Sequence, residues 1–523
     1  MFLFSNNLKT KYKFKAIFSK KLRYKINRYG LCPNCKIPNR LPKWCENCNS
    51  NGSEKILEKL KIEMNEFLNL KTQYKFKVIF SKSLRKQIKT RGVCSYCKKP
   101  NTGFAWCDKC DPGRFLKEGK TSGNPEIDKF IHEAQLKTST FEDNFYNIEW
   151  IPYDRFQDIK QIGRGGFADI FSAIWLDGKP NRLSKSKKLP VHFTVVLKKL
   201  KTSDVQAFIN EIKILNECSN NIFLTKFYGI TKDPQKEGYI MVMEHANEGD
   251  LRFFLKKNFS NLKWKEKLHI LSEIAMNLDT IHKTNYIHKD LHCGNILQFR
   301  VDAKNTNKFQ TKITDLGNAQ LISSSRFSNA SYVCGILPYI APEVLNGMPY
   351  TFESDIYSFG IIMIEITTGR QPYNNVPHDE NLALRICNGL RPRVAKGTPQ
   401  CYIDLVNQCL DAIPENRPKA NELSNLILEW IYCKKGDPNL YSFEMHKEFI
   451  EADEFFPQGE IIMPPEEIYI SRHMRFTNLP EPRNSIRVQV ENFEVSNPEL
   501  IEHLFNAEVQ KRDQDVIEIA EAL

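Results

Sequence analysis

Apolar residues recur along this chain with two different periods, and the change of period marks out its parts. Phe14, Ile17, Phe18, Leu22 and Ile26 fall at helical spacing, as do Phe76, Ile79, Phe80, Leu84 and Ile88. Between them the stretch 54–70 carries Ile56, Leu57, Leu60, Met64, Phe67 and Leu68, which predicts a packed spacer helix. The run Thr121-Ser122-Gly123-Asn124-Pro125 opens a short helix whose Ile127, Phe130, Ile131 and Ala134 share one face. From residue 156 the pattern turns strand-like, over 156–162, 170–175 and 193–198. A helix is expected over 208–215, and a buried strand leads from Tyr239 into a hinge at Glu244-His245-Ala246. Beyond Tyr432 the pattern fades. An acidic amphipathic helix is expected over 443–456, a flexible linker over 457–497, where Pro-Pro-Glu-Glu and Pro-Glu-Pro-Arg occur, and a last acidic helix over 498–523. The longest apolar windows, near 222–224 and 359–366, are far shorter than the roughly 20 residues needed to span a bilayer. The first residues lack the pattern of a signal peptide. A soluble, cytoplasmic protein is therefore expected, with the nucleus not excluded.

Charge and cysteine are concentrated at one end. In residues 1–110, 26 Lys and Arg face 6 Asp and Glu, a surplus of +20; the whole chain is +13, so the rest carries −7. Eight of the 15 cysteines lie in four Cys-x2-Cys pairs before residue 111. This region is a duplication. Tyr12-Lys13-Phe14-Lys15-Ala16-Ile17-Phe18-Ser19-Lys20 aligns with Tyr74-Lys75-Phe76-Lys77-Val78-Ile79-Phe80-Ser81-Lys82, and each copy continues into Cys-x2-Cys-x9-Cys-x2-Cys. Two thiolates two residues apart can grip one metal from a single turn, and the returning pair completes a closed tetrahedral site. Cys32, Cys35, Cys45 and Cys48 are thus expected to hold one structural Zn²⁺, and Cys94, Cys97, Cys107 and Cys110 a second. The basic helix before each copy is either a solvated face or a functional one: a nucleic-acid footprint, a membrane-surface helix or a docking surface for an acidic partner. An acidic protein partner is favoured there over nucleic acid. The opposite net charges also make the acidic tail a candidate internal partner for the basic first third.

The chemistry-bearing stretch is Ile287-His288-Lys289-Asp290-Leu291-His292-Cys293-Gly294-Asn295-Ile296-Leu297. An Asp followed five residues later by an Asn inside this run resembles the catalytic loop of protein kinases, and the resemblance implies that Asp290 takes a hydroxyl proton while Asn295, one tight loop later, reaches a metal on nucleotide phosphates. Other motifs stand around it in order. Ile162-Gly163-Arg164-Gly165-Gly166-Phe167-Ala168-Asp169-Ile170 is a glycine-rich loop between two strands, with Ala168 where a third glycine would complete Gly-x-Gly-x-x-Gly. The strand Phe193-Thr194-Val195-Val196-Leu197-Lys198 places Val196 and Lys198 on one face, so Lys198 rather than Lys199 is expected to face the nucleotide. Glu211, on the next helix, is positioned to pair with Lys198. Ile313-Thr314-Asp315-Leu316-Gly317 and Ala341-Pro342-Glu343 follow the loop.

These motifs resemble those of a eukaryotic protein kinase, most closely the tyrosine-kinase-like group, over about 280 residues. The resemblance implies an α+β bilobal fold with a small β-rich N-lobe and a large helical C-lobe. It implies ATP and Mg²⁺ as cofactors and protein substrates as acceptors. Asp290 is then the catalytic base, Lys198 and Glu211 the pair that steadies the phosphates, and Asn295 and Asp315 the Mg²⁺ ligands. The nucleotide is expected to lie against Ile162 to Ala168, Ile170, Val196, Met243 as gatekeeper, Glu244 and Ala246. Asp355 is implied to brace the catalytic loop and Arg417 to pair with Glu343. Lys289 stands for the arginine that grips a loop phosphate, and Ser323, Ser324, Ser325, Ser328, Ser331 and Tyr332 are candidate phosphosites. The catalytic loop has no arginine between Asp290 and Asn295, and the run Gly335-Ile336-Leu337-Pro338-Tyr339 leans to serine/threonine acceptors. His292 occupies the place where lysine is usual in that class.

The expected domains are 1–52 and 53–112 for the two basic cysteine modules, 113–155 for a connector, 156–433 for the kinase-like domain and 434–523 for the tail. The alternative function is a catalytically silent scaffold or zinc-dependent binding protein. Because Lys198, Glu211, Asp290, Asn295 and Asp315 are all present, the active enzyme is the reading preferred.

Overall fold

The computed structural model describes residues 82–94, 97–101, 107, 109–110, 121–137, 148–176, 193–218, 224–301, 309–325, 333–432, 440–454 and 469–484. The first cysteine module, the expected helix over 54–70 and the terminal one over 498–523 lie outside these residues. The chain divides into two compact units, Met1–Asp111 and Pro112–Leu523.

In the first unit, helix α1 (Lys82–Arg91) is the later part of the helix expected in the second basic segment. It stops at Gly92, whose φ of 80° turns the chain and whose N–H reaches the Ile88 carbonyl at 3.0 Å. A bridge between Val93 and Pro100 then folds Cys94 and Cys97 into a knuckle closed by Lys98, which adopts φ 56°.

The first described helix of the second unit is α2 (Pro125–Lys137). Asn124 caps it through a 2.8 Å hydrogen bond donated by the Glu126 N–H, the side-chain partner that an exposed helix start needs. Its Ile127, Phe130, Ile131 and Ala134 are buried, as their spacing predicts. The small lobe is a six-stranded sheet in the order β1-β5-β6-β4-β3-β2. Its strands are β1 (Glu149–Trp150), β2 (Phe156–Arg164), β3 (Ala168–Trp175), β4 (Phe193–Leu200), β5 (Phe227–Thr231) and β6 (Ile240–Glu244). The edge pair β1–β5 is parallel and the others antiparallel. Gly229 admits that edge strand, because a Cβ there would collide with the Glu149 carbonyl oxygen. Helix α3 (Val205–Cys218) buries Phe208, Ile209, Ile212 and Leu215 in the same core as α2. The stretch expected as a connector therefore adds a helix and a strand to this lobe.

The large lobe is helical. It comprises α4 (Leu251–Asn258), α5 (Trp264–Lys283), α6 (Phe352–Thr368), α7 (Glu380–Cys387), α8 (Gln400–Cys409), α9 (Ala420–Tyr432) and α10 (Leu440–Ala452). Helix α6 is buried from Ser354 to Thr367; Thr351 and Ser354 form its capping box and Gly369, at φ 65°, ends it. Two short antiparallel pairs, β7 (Tyr286–Ile287) with β10 (Gln320–Leu321) and β8 (Ile296–Arg300) with β9 (Phe309–Ile313), hold the loops that face the cleft. Helix α10 begins three residues before the expected stretch and packs Phe449 against Trp264 and Trp430, with ring centroids 5.4 and 5.2 Å apart. The bilobal α+β fold is as the motifs implied. Among the described residues, no helix is long and apolar enough to cross a membrane.

One expectation is overturned. Residues 469–484 fall inside the stretch read as a linker, yet they pack on the large lobe. Strand β12 (Arg472–Met474) pairs antiparallel with β11 (Val333–Gly335), and Tyr469 is buried with its hydroxyl donating to the Pro372 carbonyl at 2.8 Å. Backbone pairing and one aromatic anchor hold a segment whose proline-rich flanks suggested none.

Candidate active site

The cleft has two sides, each built on residues that the sequence brings from distant elements. On the first side, β4 supplies Lys198 from the middle of the sheet, where Ile170 and Met241 flank it in register. Lys198 Nζ donates to Glu211 Oε1 at 2.6 Å and to Asp315 Oδ1 at 2.7 Å. Burial alone would lower the lysine pKa, but Asp315 and Glu211 outweigh it and hold the ammonium well above its ordinary range. Burial likewise works against the Asp315 carboxylate, yet Lys198 and the Gly317 N–H keep it below the usual value. For Glu211 burial wins over the attraction of Lys198, and its carboxyl is raised. One ammonium shared by two carboxylates leaves this side short of positive charge.

Asn295 follows Asp290 through a tight turn, its amide nitrogen donating to the Asp290 carbonyl at 2.9 Å. Asn295 and Asp315 contribute hard oxygen donors of the kind a Mg²⁺ ion takes, and with the negative surplus beside Lys198 they fit that cation chemically. The glycine loop is closed by the Gly165 N–H donating to the Ala168 carbonyl at 2.9 Å, and Lys201 Nζ holds the Gly165 carbonyl at 2.7 Å. Ala168 is buried at the start of β3, a strand position that does not call for glycine. Ile162 is exposed, Arg164 lies 3.5 Å from Asp169, and Phe167 stands at the tip. Met243 is buried opposite Val196. Glu244 donates its N–H to the Lys226 carbonyl at 2.9 Å and pairs its carboxylate with Lys312 at 2.6 Å, and the Ala246 carbonyl accepts from the Gly249 N–H at 3.3 Å.

The second side centres on Asp290. Its loop is held from below by the buried Asp355, which accepts from the His288 N–H at 2.8 Å and the Lys289 N–H at 3.0 Å. The Asp290 carboxylate accepts from Asn318 Nδ2 at 3.3 Å and from Ser471 Oγ at 3.0 Å, with His292 Nε2 at 3.6 Å. Burial pushes the Asp290 carboxyl up to about 7, against the hydrogen bond from Ser471. Deeper in the lobe Arg417 binds Glu343 through two hydrogen bonds of 2.7 Å. Lys289 reaches Gln320 at 2.9 Å and lies 4.7 Å over the Tyr350 ring. Of the candidate phosphosites, Ser323 is exposed, and Ser328, Ser331 and Tyr332 lie outside the described residues.

The structure thus brings together Lys198, Glu211, Asp290, Asn295 and Asp315. Three residues in contact around the base were not singled out for it in the sequence: Asn318, Ser471 and, as a neighbour of Asp290, His292. Asn318 follows Gly317 directly and could have been found from that motif. Ser471, 181 positions from Asp290, carries no local signal.

In the first unit, Cys94, Cys97, Cys107 and Cys110 bring their sulfurs within 4.8 Å of one another, with Cys97 and Cys107 at 3.6 Å. A tetrahedral zinc with bonds of about 2.3 Å would set sulfurs roughly 3.8 Å apart, so the group is of the right size. Burial pushes the Cys107 thiol up to about 12 and raises Cys110, whereas hydrogen bonds from the Lys99 backbone and the other thiols overcome burial and lower Cys97. The matching group at Cys32, Cys35, Cys45 and Cys48 lies outside the described residues.

Comparison with known proteins bears on the second unit. A model of the protein tyrosine and serine/threonine kinase family matches residues 156–427. A "Probable serine/threonine-protein kinase" of Dictyostelium discoideum is 31% identical over 269 residues, 51% of this chain and 23% of that protein. From the same organism, "Probable serine/threonine-protein kinase kinX" is 27% identical over 281 residues, 53% of this chain and 24% of its own. "Wall-associated receptor kinase-like 4" of Arabidopsis thaliana is 24% identical over 337 residues, 60% of this chain and 39% of its own length. The matches thus cover between about a quarter and two fifths of these three relatives.

Proposed function

The chain belongs to the protein tyrosine and serine/threonine kinase family, and from that premise we propose that it transfers the γ-phosphoryl group of ATP to serine or threonine hydroxyls of proteins. The observation that carries this reading is the buried cluster in which Lys198 joins Glu211 and Asp315 at 2.6 and 2.7 Å, a few residues from the Asp290–Asn295 loop. A domain that had lost catalysis would have no need to hold two carboxylates on one buried lysine, which is costly unless a cation completes it.

In this reading Asp290 orients the acceptor hydroxyl and takes its proton. Lys198 holds the α- and β-phosphates, with Glu211 fixing its ammonium. The glycine loop from Ile162 to Ala168, with Ile170 beyond it, covers the phosphates with backbone N–H groups. Val196, Met243, Glu244 and Ala246 line the place of the base. Asn295 and Asp315 would hold Mg²⁺, which when bound offsets charge on the phosphates. Serine/threonine specificity is supported by the catalytic loop without arginine and by the names of the Dictyostelium relatives. Placement near the tyrosine-kinase-like group rests on the same motifs.

The four-cysteine group supports a structural Zn²⁺ in each cysteine module, making the first unit a targeting element for an acidic protein partner. Steep salt-dependent binding to a random oligonucleotide would reassign it to nucleic acid. The ten described cysteines are in no disulfide, which supports a reducing compartment such as the cytoplasm. The test of activity is transfer of labelled phosphate from Mg-ATP to a generic basic protein, followed by identification of the labelled residue. Label on serine or threonine is expected. Label confined to tyrosine would overturn the acceptor assignment, and no label from folded protein would overturn the enzyme.

A further inference from the structure

The acceptor side of the cleft is filled by the chain's own tail, and the residue facing the base carries a hydroxyl. Resting on the kinase reading above, we propose that Ser471 is an intramolecular phosphoacceptor, presented to Asp290 by residues 469–484 lying in the acceptor groove as a tethered substrate.

Four observations converge. Ser471 Oγ donates to Asp290 Oδ1 at 3.0 Å and lies 3.4 Å from His292 Nε2, within reach of proton abstraction. The residues that follow it pair in register with the segment before the Ala-Pro-Glu motif: Arg472 with Gly335, His473 with Cys334 and Met474 with Val333. That is how an extended peptide adds to an exposed edge, with main-chain hydrogen bonds fixing which side chain meets the base. The glycine loop closes on the same residue, since a Cβ on Gly166 would collide with the Ser471 carbonyl oxygen, and the Phe167 ring lies 5.5 Å from that of His473. Finally the segment is anchored on both sides of the serine. Tyr469 is buried beneath Arg252, 5.4 Å away, and against His378, 4.8 Å away; Arg472 donates to the His378 carbonyl. At the far end the Arg483 N–H reaches the Cys387 carbonyl at 2.9 Å and Asn484 Oδ1 accepts from the Ala412 N–H at 2.6 Å.

A plug that only blocked the groove would work as well with alanine at this position. The hydroxyl on the base is what distinguishes a substrate. In the step, Ser471 Oγ forms a bond to the γ-phosphorus of ATP and its proton passes to Asp290. The bond from that phosphorus to the β,γ-bridging oxygen breaks, and ADP leaves with the electron pair. The product carries about −1.5 to −2 charges beside Asp290 and Asp315. Like charge in a buried site then expels the segment, so one turnover opens the groove to other proteins.

The test incubates the full chain with Mg-ATP and an external basic acceptor, maps phosphate by mass spectrometry, and repeats the measurement over a hundred-fold dilution. A mass-tagged Asp290→Asn chain is mixed in as a possible acceptor in trans. Phosphate on Ser471 with an unchanged first-order rate on dilution, and none on the tagged chain, is the expected result. Ser471→Thr should keep the label and Ser471→Ala lose it. Label on the external protein with Ser471 unmodified, or a Ser471 rate that falls in proportion to dilution, would overturn the proposal and leave the kinase reading intact. No label on either would overturn both.

Discussion

The two sides of the cleft are held in opposite ways. On the nucleotide side Lys198, Glu211 and Asp315 neutralise one another in part through bonds of 2.6 and 2.7 Å between strand β4, helix α3 and the turn after β9. On the acceptor side Asp290 has no cation within bonding distance among its described partners. It is kept company by Asn318, His292 and the hydroxyl of Ser471, and burial raises its carboxyl to about 7. The first side is a preorganised charge cluster that requires only a ligand to complete it. The second is a groove occupied by residues 469–474, which on the proposed reading must leave before an outside substrate can enter. Binding of nucleotide and access of acceptor are therefore separable properties of one site.

That separation can be broken most forcefully from the nucleotide side. Lys198→Met removes the ammonium and leaves Glu211 and Asp315 unpaired; phosphoryl transfer should fall by about 10²–10³-fold, read as kcat with a saturating acceptor. Amide exchange of Arg472 to Met474 should not change. If the tail loosens as well, the two sides are coupled and the comparison fails. Tyr469→Ala attacks the acceptor side alone. With its buried anchor gone, the tail should leave the groove, and the KM for an external protein should drop by about tenfold while that for Mg-ATP stays constant. An equal change in both would mean that the tail also covers the nucleotide.

Acidity sharpens the same contrast. Asp290 must be ionised to accept a proton, so transfer to Ser471 should rise with pH through about 7 and level off above it. Stability has the opposite sign. The folded carboxyl is raised from its ordinary 3.8, so its contribution is fully present below that value and is lost as pH rises through about 7. A transfer rate that is flat from pH 6 to 8 in single turnover would contradict the predicted rise of transfer with ionisation of Asp290. The smallest effect is expected from metal in the first unit. Metal analysis should find close to two zinc ions per chain, Cys107→Ser should remove one, and transfer to a generic acceptor should change by less than about twofold. A large loss of transfer would tie the cysteine modules to catalysis.

How much of this was readable in the sequence follows the same division. Lys198, Glu211, Asp290, Asn295 and Asp315 sit in short motifs whose spacing is set by strands, one helix and a tight loop, so the resemblance of those motifs, in order, to a kinase was enough to single them out. The face of α2 was legible for the same reason, since Ile127, Phe130, Ile131 and Ala134 recur with the helical period. The parallel edge strand at Glu149–Trp150 was not, because two residues carry no period and their place depends on the absent side chain of Gly229. The tail was misread for a deeper reason. Its composition describes its flanks, whereas its order comes from backbone pairing with Val333–Gly335 and from one tyrosine buried in a lobe about a hundred residues away in sequence. Partners so remote leave no trace in a local window.

The most direct test of the account sets binding against transfer in Asp290→Asn. Mg-ATP affinity, measured by calorimetry on the full chain, and phosphate transfer to protein would be compared with wild type on the same preparation. The account predicts unchanged affinity, within about twofold, and transfer reduced to background. Transfer that survives the substitution would remove Asp290 from the chemistry and with it the central claim.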